Sequence, residues 1–136
     1  MFPSNLERQN VKLALKIFHP FVVEALLKFG SNIERSADTA DFINIILRWW
    51  KIVNVKTPLK GKRLNDIYQE PIVNNIAEDP KLFLSKMLNW LDHWKSYDCK
   101  NKLTTQTHTA LTHTIKGMLK IIEYCFNELK LNCFIR

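Results

Sequence analysis

An all-α fold, an irregular bundle of about four to six helices, is the class this sequence predicts, and three observations predict it. Three stretches, 7–29, 79–94 and 105–129, carry apolar residues at three- and four-residue spacing. A fourth, 38–53, is apolar on nearly every face, as a helix central to a core is. Residues that start or stop helices stand at the borders: Gly30, Asp38 and the pair Asp79-Pro80. At 136 residues and 46% hydrophobic content, the chain can bury one real core, so a single helical domain spanning 1–136 is expected. Three Gly and five Pro are too few for a fibrous or disordered chain.

The first stretch places Val11, Leu15, Phe18, Val22, Ala25, Leu26 and Phe29 on one stripe. Pro20 interrupts it, because proline lacks a backbone donor and clashes with the preceding turn. A kink, or two short helices meeting at His19-Pro20, is expected, with Gly30 as the stop. Asp38 opens the second helix as a cap, with Asp41 as the far half of a capping box. Its apolar residues include Phe42, Ile43, Ile46, Trp49, Trp50 and Ile52, and both tryptophans are expected to pack in the core. Asp79 as N-cap and Pro80 in the first helical position start the third helix. Its face is Phe83, Met87, Trp90, Leu91 and Trp94, read as packing rather than as a base-stacking platform. The fourth runs from about Thr105 to Leu129, with Leu111, Ile115, Met118, Leu119, Ile122, Cys125, Phe126 and Leu129 as its stripe. The tail KLNCFIR reads as a strand or helix cut short, which suggests a piece of a larger protein truncated at the C-terminus.

Residues 55–79 are expected to form a loop with little regular structure, punctuated by Pro58, Gly61 and Pro71. Lys56, Lys60, Lys62 and Arg63 put four positive charges in eight residues with no acid among them. This is either a solvated loop or a phosphate-contacting one. The net charge of +7 favours a polyanionic partner, through counterion release and long-range attraction.

Other classes find no support. The longest apolar run falls short of the roughly 18 residues a membrane span needs, so no membrane partner is expected. MFPSNLERQNVK lacks the apolar segment of a signal peptide. Cys99, Cys125 and Cys133 are odd in number and outside CxxC spacing, and read as reduced thiols. His108 and His113 are five apart, which does not stack two ligands on one helix face, so no metal site is expected. Phosphate-loop, GxSxG and HExxH motifs are absent.

Taken together, NVKLALKIF (10–18), TADFINIILRWWKIVNVK (39–56), PLKGKRLND (58–66) and LTTQT (103–107) resemble P-element-type transposases, including the THAP-related ones. The similar region is the GTP-binding helical insertion of their RNase H-like catalytic domain. The resemblance implies a non-catalytic insertion domain that binds GTP and helps position transposon DNA, in a nuclear protein whose remaining catalytic domain is a partner. In the family, an Asp and an Asn at the end of the second helix lie near the guanine. The Asn position matches Asn54, whose other reading is a helix C-cap; the Asp position holds Lys51. A carboxylate accepts from guanine N1–H and N2–H₂, whereas an ammonium has donors only, so Lys51 would meet a phosphate or the O6/N7 edge. Val11 and Lys12 match a segment that approaches the nucleotide, with Lys12 as a point charge for a phosphate.

The family's metal-holding Asp-Asp-Glu set falls outside the matched region, so Mg²⁺ would serve only the full-length parent and no catalysis is expected of this chain. Asp38, Asp41, Asp66 and Asp79 are explained by caps and turns. The alternative is a stand-alone helical interaction module, or a basic nucleic-acid-binding one using Lys56, Lys60, Lys62 and Arg63, with the nucleotide site decayed.

Overall fold

A computed structural model describes residues 15–55, 57, 59–74, 79–96 and 103–134. Among them run five α-helices: α1 (Pro20–Phe29), α2 (Ser36–Val53), α3 (Lys60–Leu64), α4 (Asp79–Ser96) and α5 (Thr105–Asn127). Two-residue strands β1 (Ile72–Val73) and β2 (Cys133–Phe134) pair antiparallel. The protein is mostly helical, an all-α chain with one small sheet, as the sequence predicts. Its residues group into two compact units, Met1–Lys51 and Ile52–Arg136.

In the first unit, α1 begins at Pro20 rather than bending around it. The ring pre-sets φ for the first turn, and His19 caps the helix, its Nδ1 accepting from the Phe21 N–H at 3.3 Å. Gly30 ends the helix, but not through a left-handed φ, since its φ is −83°. A Cβ there would stand 2.6 Å from the Ser36 Cβ, so the glycine admits the start of α2 against the end of α1. Helix α2 starts three residues earlier than a cap at Asp38 would place it. Arg35, at φ 59°, turns the chain, and Ser36 is the first helical residue. Asp38 therefore lies inside the first turn, where its charge meets the positive end of the helix dipole, rather than at the cap.

Val23, Ala40 and Ile43 are the buried centre of this unit, with Phe18, Val22, Leu26 and Leu47 packed around them. Phe18 and Phe42 meet edge to face at 6.2 Å. The inward stripe of α1 thus includes Val23, while Ala25 and Phe29 of the expected stripe face solvent. Around α2, only Ala40 and Ile43 of this unit are fully enclosed; Trp49 and Trp50 are half-buried, their rings 6.2 Å apart.

In the second unit α4 packs on α5, and the side chains of Leu84, Leu91, Ile115 and Ile122 are wholly buried. Each such side chain contributes about 1.5–3 kcal/mol relative to an exposed one. Leu91 also anchors the pair through its backbone: its carbonyl accepts from His108 Nε2 at 3.0 Å. Thr104 caps α5, its Oγ1 accepting from the Thr107 N–H at 3.2 Å. The tail is a strand: Ile72 pairs with Phe134 and Val73 with Cys133. That pairing leaves Phe134 half-buried and Ile72 fully so. Cys125 is a buried free thiol and Cys133 an exposed one.

Candidate nucleic-acid interface

The segment expected to be an irregular loop contains an ordered turn built around Gly61. Helix α3 has five residues, and Gly61 is its buried one. A Cβ on Gly61 would overlap the backbone nitrogen and Cγ of Glu70 and lie 2.6 Å from the Gln69 carbonyl carbon. Only a glycine lets the helix rest directly on that backbone. Asn65, left-handed at φ 49°, ends α3, and the next N–H, of Asp66, donates to the Gly61 carbonyl at 2.9 Å. Asp66 then caps a 3-10 turn, Ile67–Gln69. Its Oδ1 accepts from the Tyr68 N–H at 3.1 Å, and its Oδ2 from the Gln69 side-chain amide at 2.9 Å. Gln69 is only 6% exposed, so that second bond satisfies a buried amide. Tyr68 meets Phe83 of α4 edge to face at 6.0 Å.

This scaffold fixes where the basic residues point. With Gly61 facing inward, Lys60 and Lys62 fall about 100° to either side of it on the helix. Lys62 and Arg63 are exposed, and Lys60 is half-buried. Together with Thr57 and Leu59, the three cations line one open groove of about 510 Å³. Glu70 lies against Gly61 through its backbone nitrogen and Cγ. The arrangement suits phosphate groups: charged donors on a short rigid support, open to solvent, with a threonine hydroxyl at the edge.

The structure brings together Lys60, Lys62 and Arg63 of the four basic residues read from the sequence; Lys56 lies outside the described residues, as do Val11 and Lys12. Lys51 stands in the last turn of α2 and Asn54 in the turn after it, each half-buried. The sequence reading missed Thr57 and Leu59, which carry no signal of their own, and the inward glycine that aims the cations. The pairing of Gly61 with Asp66, one turn further on, was the available clue. Among the described residues, no group of three His, Cys, Asp or Glu is placed to hold a metal ion, and no helix is long and apolar enough to cross a membrane.

Comparison with protein-family models, with curated proteins and with solved structures found no match to this chain.

Proposed function

We propose that this chain is a non-catalytic helical module that binds the phosphate backbone of nucleic acid through the α3 groove, as the insertion domain of a P-element-like DNA transposase does in helping to position transposon DNA. The convergence of Lys60, Lys62 and Arg63 on one groove carries the reading. The sequence resemblance supplies the rest: DNA as the polyanion, a nucleus as the site of action, and the remaining catalytic domain as the partner.

The test is binding of a duplex and of a single-stranded oligonucleotide by fluorescence anisotropy, between about 50 and 200 mM salt. Each phosphate contact contributes roughly 0.9 to the slope of log affinity against log salt on a duplex, so K60Q/K62Q/R63Q lowers that slope by about 2 to 3. An unchanged slope rejects the groove.

The same resemblance proposes GTP as a positioning ligand, its phosphates and base met by Asn54, Lys51, Val11 and Lys12. Lys51 and Asn54 follow one another by three residues at the end of α2, and both are half-buried, which supports a polar role at that end. Calorimetry with GTP against ATP tests it, with Asn54→Ala expected to weaken GTP at unchanged helicity. Oligonucleotide binding without any nucleotide binding would favour the stand-alone nucleic-acid module with a decayed nucleotide site.

A further inference from the structure

Where α4 ends and α5 begins, a second cavity, of about 230 Å³, is lined by Trp94, Lys95, Leu103, Thr105, His108 and Thr109. Among the described residues its lining differs from that of the α3 groove: one ammonium, one indole, one imidazole and two hydroxyls around a much smaller space. Packing alone does not call for such a wall. Trp94 is half-buried and tilted against Trp90 at 4.9 Å, so one part of the indole already has an aromatic neighbour. Lys95 extends from the adjacent position on the same helix. From the other side, Thr105, His108 and Thr109 fall on one face of α5.

His108 is anchored through its ring. The Leu91 carbonyl can only accept, so the Nε2 bonded to it at 3.0 Å carries the proton, and Nδ1 is the ring nitrogen left for another group. Thr112 follows one turn on along the same face of α5, outside the cavity lining. Thr112 is only 7% exposed, and its Oγ1 has no hydrogen-bond partner among the described residues. A buried hydroxyl without a partner costs stability and calls for an explanation. The same helix begins beside the cavity; Thr104 takes the Thr107 and His108 N–H groups, and the first two N–H groups of the helix have no intrahelical acceptor. These add a positive potential to that of Lys95.

We propose that this cavity is a binding site for a small organic anion. It would take a flat unsaturated body against Trp94 and a single phosphate or carboxylate between Lys95 and the hydroxyls of Thr105 and Thr109. The volume lies below the roughly 300 Å³ at which drug-sized pockets begin, which limits the ligand to a single ring with its acid group. Stacking on an indole face favours a ring, and the ammonium with adjacent hydroxyls favours the anion. The site lies apart from Lys60, Lys62 and Arg63 in sequence and lining, so it stands or falls independently of the nucleic-acid reading.

The experiment is an NMR titration of the full chain with three probes: phenyl phosphate, inorganic phosphate and phenol. Phenyl phosphate is expected to move the backbone amides of Thr105, His108 and Thr109 together with the Trp94 indole N–H. Inorganic phosphate and phenol should each bind at least tenfold more weakly. Lys95→Met, which keeps the aliphatic stem, should lower phenyl phosphate affinity at least fivefold, as should Thr105→Val, at unchanged melting temperatures. Absence of shifts at these residues with all three probes overturns the proposal. So does equal binding of phosphate and phenyl phosphate, which leaves the ring unread, or an affinity that Lys95→Met does not change. Should Thr105→Val unfold the first turn of α5, Thr109→Val with the same titration decides.

Discussion

Gly61 and Glu70 approach so closely that no side chain fits between them: a Cβ on the glycine would occupy the space of the Glu70 backbone nitrogen. The α3 groove depends on that contact, because the helix carrying Lys60, Lys62 and Arg63 rests on the 69–70 backbone. Gly61→Ala is therefore expected to cost about 1–3 kcal/mol, the usual range for forcing extra atoms into a packed site. The obstacle is backbone and cannot rotate away. Urea denaturation measures the loss, and oligonucleotide affinity should fall with it as the three cations lose their common support. A variant as stable as the wild type would mean that α3 does not sit on Glu70.

The contrast between α3 and the longer helices shows what was legible in the sequence. Periodicity announces a helix when several turns repeat it, as in α4 and α5, where Met87, Leu91, Ile115 and Ile122 fall on the inward stripe and are buried. A five-residue helix repeats nothing. Its existence rests on Gly61 meeting a backbone nine residues away and on Asp66 capping the following turn, contacts that only the folded chain supplies. On α1 the period was read but its phase was not. Val23 is buried while Phe29 is 70% exposed, with the Lys28 ammonium 5.3 Å from its ring centre. Val23 clusters with Ala40 and Ile43 of α2, a partner that the hydropathy of α1 alone does not place. The cations of the candidate interface were plain from composition; their convergence on one groove was not.

Gly117 poses the opposite case. It lies in the middle of α5 at negative φ, and an added Cβ would meet nothing within 4 Å. Neither close approach nor backbone geometry requires a glycine there. Gly117→Ala should stabilise the chain by about 0.5–1 kcal/mol, by restricting the unfolded state and favouring helix. A rise in denaturation midpoint at constant slope is the expected reading. A fall would show that something covers this face of α5.

Asp66 holds two partners at once, the Tyr68 N–H and the buried Gln69 amide. Asp66→Ala removes both acceptors and leaves a buried donor unsatisfied, at about 1–3 kcal/mol. Asp66→Asn can keep one acceptor oxygen but turns its amide toward one of the two donors, so it should recover only part of the loss. Equal stabilities for the two variants would mean that a single retained acceptor contributes nothing there.

Trp49 combines packing with an unmet donor. Its side chain is half-buried, and its indole Nε1 is enclosed without a hydrogen-bond partner among the described residues. Trp49→Ala should cost about 3 kcal/mol, the lower end of the range for a truncated aromatic, because part of the ring is already exposed. Trp49→Phe loses less volume and also removes the N–H, whose burial without a partner costs about 1–3 kcal/mol. The two effects oppose one another, so the phenylalanine variant should stay within about 1 kcal/mol of the wild type. Thermal and urea denaturation of both variants checks the pair. If phenylalanine costs as much as alanine, the indole nitrogen donates to a water or another group and the ring is held by that bond rather than by packing.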